Sequence, residues 1–133
     1  MVTLKKQIRL KKSVHEVINQ NPLIIRIEST QGEFVELEDA EGMRDANVAL
    51  SEGGPYYVLL DTSKGYASAT PEANKIFAEK KYSENRKAIA IIAKSLASKI
   101  VSNFFIRFNK PQSPTRVFLN EQEAMDWLMS LPK

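Results

Sequence analysis

An α/β fold, built on a mixed sheet of four or five strands with about four helices, is predicted by three observations on this 133-residue sequence. From residue 56 onward, short apolar runs alternate with stretches of helical periodicity. The opening third instead shows short strand-like segments joined by turn residues. The helical stretches also start on residues that suit a helix N-terminus, such as Thr70-Pro71-Glu72. Alternating strands and helices imply parallel strands with right-handed crossovers, and short connections between strands imply antiparallel neighbours.

The elements follow in order. Leu4, Ile8 and Leu10 share one parity while Lys5, Gln7, Arg9 and Lys11 share the other, the period of a half-buried strand. Lys6 breaks the apolar face, so this strand firms up around Gln7. Asn19-Gln20-Asn21-Pro22 is turn material. Leu23 to Glu28 is a strand by its β-branched content, and Phe34 to Leu37 is a short third strand after the Gln31-Gly32 turn. Asp39 is the expected cap of a helix carrying Ala40, Met43, Ala46 and Leu50 on one side. Gly42 weakens that helix by ~1 kcal/mol relative to alanine.

Tyr56 to Asp61 reads as a strand buried on both faces. A helix from Thr70 to about Tyr82 follows, then a second apolar strand within Lys87–Lys94. Ser95 caps a helix with Leu96, Ile100, Phe104 and Phe108 spaced by four, stopped by Asn109-Lys110-Pro111. Arg116-Val117-Phe118 is a short strand, and Asn120 opens a last helix on Ala124, Trp127, Leu128 and Leu131. No repeat, low-complexity stretch or linker divides the chain, so one domain over residues 1–133 is expected.

Composition narrows the chemistry. Hydrophobic residues form 43% and charged residues 26%, as in ordinary globular proteins. The absence of cysteine excludes disulfides, thiolate metal sites and a cysteine nucleophile. No secretory pattern opens the chain, and no run approaches the ~20 apolar residues of a membrane span, so a cytoplasmic location without stable membrane insertion is expected. Charge is uneven. Lys5, Lys6, Arg9, Lys11 and Lys12 crowd the start, while residues 28–45 carry seven acids against Arg44. Nucleic acid is not the expected partner, because residues 1–33 hold no Phe, Trp or Tyr to stack on bases.

Few residues are candidates for function. Asp61 ends a strand where α/β sheets place ligands, yet it also suits a loop-fixing carboxylate. His15 is the only histidine, and a surface position is expected for it in the absence of companion ligands. Phe104, Phe105 and Phe108, together with Trp127, form the second candidate face. Adjacent helical residues diverge by about 100°, so Phe104 and Phe105 do not both point inward. The face serves as core, as a homodimer contact or as the cover of an apolar ligand. No phosphate-binding glycine loop or nucleophile elbow is present. No cofactor, no metal and no enzymatic activity are expected.

Three stretches carry a family resemblance: Ser102 to Pro111, Pro114 to Phe118 with Asn120 to Leu128, and Val58-Leu59-Leu60-Asp61 followed by Thr70 at a helix start. The chain resembles the STAS domain (sulfate transporter and anti-sigma-factor antagonist), in the form of short uncharacterised bacterial proteins of Bacteroidota type. The resemblance implies a regulatory domain that binds another protein, a kinase or an anti-sigma-type regulator. It also implies a phosphorylated hydroxyl at the helix start, for which Thr70 is the matching position and Ser63 and Ser68 are nearby alternatives. The family pattern at that point is an acid, two serines and a glycine. Here Ala69-Thr70-Pro71-Glu72 keeps only the hydroxyl, which a plain helix cap also requires.

Overall fold

The computed structural model describes residues 6–30, 34–64, 68–99 and 113–132. The chain opens with three antiparallel strands, β1 (Gln7–Arg9), β2 (Ser13–Gln20) and β3 (Leu23–Ser29). A two-residue strand β4 (Phe34–Val35) precedes α1 (Leu37–Ser51). Then come β5 (Tyr56–Asp61), β6 (Ser68–Ala69), α2 (Pro71–Phe77) and α3 (Lys80–Ser83). The chain continues through β7 (Arg86–Ile92), β8 (Thr115–Phe118) and α4 (Glu121–Ser130). Six strands form one mixed sheet in the order β1-β2-β3-β5-β7-β8, with β3, β5, β7 and β8 parallel.

The strand order explains the sequence pattern. Parallel strands need crossovers that return the chain over a face of the sheet, so β5 and β7 in the middle are covered twice. One apolar cluster joins Ile24, Leu59, Ala88, Ala90 and Ile92 to Ala124 and Leu128 of α4. The other joins Ile25, Ile27, Tyr56 and Val58 to Leu50 of α1, with Met43 and Phe77 of α2 at its edge. Successive strand residues alternate between these two clusters.

The sheet has one strand more than the upper end of the sequence expectation. Ser13–Gln20 is a full strand, and the sequence hides it because both of its faces mix polar and apolar residues. Ser13, His15 and Val17 point one way, while Val14, Glu16 and Ile18 point the other, so no clean period of two emerges. The expected strand from Phe34 to Leu37 shrinks to β4, which pairs in parallel with β6 in a separate two-stranded sheet. Leu37 already belongs to α1.

Helix starts follow the sequence with one correction. Thr70 caps α2, its hydroxyl accepting from the Ala73 N–H at 3.2 Å, and Asn120 caps α4 by accepting from the Glu123 N–H at 2.9 Å. Ser95 accepts from the Ser98 N–H at 3.1 Å, starting a helical turn at 96–99. Asp39, however, is not the cap of α1. Glu36 is the cap, and Asp39 sits three residues on, closing a reciprocal capping box by accepting the Glu36 N–H at 2.9 Å. The helix expected to reach Tyr82 ends at Phe77, and a separate turn, α3, follows.

The uneven charge resolves inside the molecule. Lys12 reaches Asp39 at 2.7 Å, so the basic start pairs in part with the acidic segment, and Lys6 reaches Glu52, beyond that segment, at 3.5 Å.

Gly42 lies in α1 where an added Cβ would meet Leu10 at 3.7 Å, an ordinary contact. Gly42→Ala is therefore expected to raise stability by about 0.5–1 kcal/mol, through helix propensity alone. A urea titration reads this as a higher midpoint at unchanged slope; a lower midpoint would show that α1 has no room for the methyl group.

Candidate functional site

In parallel α/β sheets, ligand sites gather beyond the carboxyl ends of the strands. Here those ends carry Glu28 on β3 and Asp61 on β5, which are cross-strand partners. Two carboxylates placed opposite one another repel. Arg26 resolves the conflict. Its Nη2 donates to Asp61 Oδ2 at 2.6 Å, its Nη1 to Glu28 Oε2 at 3.2 Å and its Nε to Glu121 Oε1 at 2.9 Å. Lys64 donates to the second Glu28 oxygen at 3.0 Å. One guanidinium thus ties β3, β5 and the first turn of α4 together through its fixed fork of donors.

Asp61 has a second task. Its Oδ1 accepts the Ser63 N–H at 2.9 Å, folding the chain after β5 into a tight turn. Burial pushes the Asp61 carboxyl up, but the hydrogen bonds from Ser63 and the Arg26 guanidinium outweigh it and hold the group below its usual range. Glu28 is also held low, chiefly by the hydrogen bond from Lys64 and then by Arg26. Asp61 is therefore an ionised structural carboxylate with both oxygens engaged.

Thr62 turns inward and donates to the Ile92 carbonyl at 2.7 Å, which locks β5 to β7. Ser63 is exposed. Ser68 lies on β6, and Thr70 follows it as the half-buried cap of α2. The Thr70 N–H donates to the Val35 carbonyl at 3.0 Å, so the small β4–β6 sheet fixes where α2 begins. The four sequence candidates Asp61, Ser63, Ser68 and Thr70 thus fall on one segment, with Asp61 and Thr70 each held by hydrogen bonds of its own.

Phe104, Phe105 and Phe108 lie outside the described residues. Trp127, their expected companion, packs on the α4 side of the core with its ring 5.7 Å from that of Phe118. It closes the edge of the apolar cluster between α4 and β8.

Two features escaped the sequence reading. Arg26 sits inside the run Leu23-Ile24-Ile25-Arg26-Ile27, and two of its three carboxylate partners lie 35 and 95 residues away, beyond any local pattern. The second is His15. It is not a surface histidine: its exposure is 0%, with Asn47 at 1% and Ser13 at 3%. Asn47 Oδ1 only accepts, so His15 Nδ1 donates to it at 2.7 Å, and Nε2 accepts from the Ser13 hydroxyl at 2.8 Å. The order serine–histidine–amide has the hydrogen-bond connectivity of a nucleophile, its base and an orienting group. All three side chains are sealed between α1 and the sheet, where no substrate reaches the hydroxyl. The single histidine is used as a polar core residue because every one of its ring nitrogens has a buried partner.

A surface cleft of about 610 Å³ lies beside the other end of β5 and is lined by Arg44, Asp45, Val48, Tyr56, Glu79 and Asn85 among others. An ion pair of 3.1 Å between Arg44 and Glu79 joins α1 to the α2–α3 junction there. Among the described residues, no cluster of three or more histidine or carboxylate groups is placed to hold a metal ion, and no helix is long and apolar enough to cross a membrane.

Comparison with known proteins agrees with this architecture. Residues 17–132 match the family model described as a domain of unknown function, DUF7793. A solved structure from Shewanella loihica PV-4, an uncharacterised protein of the DUF3478 family with a SpoIIAA-like fold, superposes with a TM-score of 0.62 at 17% identity. The match covers 96% of this chain and 98% of that one. The likeness shows the fold that the STAS resemblance implied. No protein of curated function matches.

The low-lying carboxylates set the acid profile of this end of the sheet. Groups held below their unfolded values stabilise the fold above those values and lose that contribution as pH falls through the folded ones. Stability is expected to drop as pH falls below about 4, the unfolded carboxylate range. In Arg26→Gln this part of the drop shrinks, since Asp61 and Glu28 lose a common partner. Denaturant midpoints measured from pH 6 to pH 2.5 check it; parallel curves for the two proteins would refute the assignment.

Proposed function

The chain belongs to the DUF7793 family, and on that premise we propose that it is a non-enzymatic regulatory domain that binds another protein through the surface around Thr70, Ser63 and α2. The observation that carries this reading is the use made of the polar groups where such a sheet would hold its chemistry. Asp61 has both oxygens engaged, Thr62 is bonded to the β7 backbone, and Arg26 is spent on three carboxylates. An acid that catalyses proton transfer needs an oxygen free to meet its substrate. Beside these engaged groups, Ser63 is exposed and Thr70 is half-buried.

The STAS resemblance supports a hydroxyl switch on this segment, and Thr70 holds the matching position. A phosphate there has two opposed effects. It gains from the N–H groups of the first turn of α2, and it is opposed by the exposed carboxylate of Glu72. Its cap role is modest, about 1 kcal/mol, so modification changes the surface without unfolding the domain. The partner class is a protein kinase or an anti-sigma-type regulator. The homodimer and apolar-ligand alternatives both depend on Phe104, Phe105 and Phe108.

Phosphosite mapping on protein purified from its native cells tests the reading, together with crosslinking of wild type, Thr70→Ala and Thr70→Glu to co-purifying proteins. The expected result is phosphate on Thr70, Ser63 or Ser68 and a crosslinked partner that Thr70→Glu loses and Thr70→Ala keeps. An unmodified segment, with the same crosslinks in all three proteins, would overturn it.

A further inference from the structure

Helix α1 is tied to the β1–β2 hairpin at three points. Near its start, Asp39 takes the ammonium of Lys12 at 2.7 Å, and at its end Glu52 takes that of Lys6 at 3.5 Å. Between them lies the sealed chain from Ser13 through His15 to Asn47. The outer ties are ion pairs between a lysine and a carboxylate. The middle tie is built on the one side chain whose charge ordinarily changes in the neutral range.

The surroundings of the imidazole are apolar. Its cross-strand neighbours are Ile8 on β1 and Ile27 on β3. Charged groups on the packed elements are directed elsewhere. Arg9 on β1 and Glu16 on β2 fall on the opposite face of the sheet by strand alternation. Arg26 and Glu28 on β3 are joined on that same opposite face to Asp61 and Glu121. On α1, Arg44 turns to Asp45 and Glu79, and Glu38, Glu41 and Asp45 are exposed. Lys12 and Asp39 engage one another. His15 is therefore bonded on both sides by neutral groups, with no carboxylate bonded to its ring to receive a second proton's charge.

Protonation at Nε2 has a defined consequence. In the neutral ring Nε2 accepts from the Ser13 hydroxyl. The imidazolium has donors at both nitrogens, so the hydroxyl must turn to accept and its own proton is left seeking a partner in a closed space. A buried charge without an opposite charge is costly, and it is relieved if the seam opens to water.

We propose that Ser13, His15 and Asn47 form a proton-sensitive latch between α1 and the β1–β2 hairpin, which loosens this seam in mild acid while β5, β7 and β8 stay paired. The direction follows from linkage. Burial pushes the folded histidine below its ordinary value and outweighs the hydrogen bond to Asn47, which raises it. The open state then binds the proton more readily than the closed one. The latch is at full strength above about pH 6.5 and weakens as pH falls from there toward the lower folded value. This window lies above that of the Arg26 carboxylates, so the two effects separate.

The chain holds one histidine, which makes the test direct. An NMR titration of the His15 ring should show a midpoint below about 6.5. Hydrogen exchange, corrected for the intrinsic effect of pH, should show amides of β1, β2 and α1 opening about tenfold more often at pH 5.5 than at pH 7.5. Amides of β7 and β8 should not change. His15→Gln, which keeps a polar side chain without a titrating group, should abolish the difference. A ring midpoint at or above 6.5 overturns the proposal, as does acid opening that is the same in His15→Gln or uniform across the sheet. If His15→Gln does not fold, the ring midpoint and the regional pattern in the wild-type chain decide alone.

Discussion

Strands β5 and β7 lie between two layers of helix, and the dry contacts on both of their faces are what the other elements are arranged around. Leu59, Ala88, Ala90 and Ile92 meet α4 on one side, and Tyr56 and Val58 meet the side of α1 and α2. The alanines in β7 let α4 approach closely, since Ala124 of the helix is itself small and fully buried. The polar groups at the carboxyl end of β5 answer to this constraint. The ends of the strands must pass from dry core to water within a residue or two, and they do so through Thr62, bonded to the Ile92 carbonyl, and Asp61, bonded to Arg26 and Ser63.

The same pressure accounts for the two polar clusters. At the carboxyl ends of β3 and β5, crossing from core to solvent brings Glu28 and Asp61 side by side, and Arg26 makes that tolerable while anchoring Glu121 of α4. At the antiparallel edge α1 packs on the face of the sheet that holds His15. There the chain buries Ser13, His15 and Asn47, which satisfy one another. Polar groups in a dry environment add specificity when all are paired, because any shift of α1 along the hairpin leaves several of them without partners. The polar residues that a sheet-end site would use are already engaged in holding the sheet ends.

How much of this could be read from the sequence depends on the range of the interactions. The middle strands were legible because burial on both faces makes them continuous apolar runs. Thr70 and Asn120 were legible as caps because the cap bond spans three residues. Glu36 was not, since glutamate is an unusual cap and Asp39 three residues on looks the better one; only the geometry shows that the two act together. Strand β2 was illegible because its buried face carries Ser13 and His15, residues whose partners, one on a helix more than thirty residues later, make them acceptable inside. Arg26 was illegible for the same reason, with its meaning supplied by Asp61 and Glu121. The fold class, caps and central strands thus came from local pattern, while both polar clusters came from distant partners.

The claim on which the account turns is that Asp61 is a structural carboxylate whose partner is Arg26. A double-mutant cycle measures it. Denaturant unfolding of wild type, Arg26→Gln, Asp61→Asn and the double variant gives the coupling between the two side chains. The account predicts that each single change destabilises the domain and that the double variant loses less than their sum by about 1 kcal/mol or more, the range of coupled neighbours in one network. Additive losses, or an Asp61→Asn domain as stable as the wild type, would contradict it and return Asp61 to the list of groups held ready for chemistry.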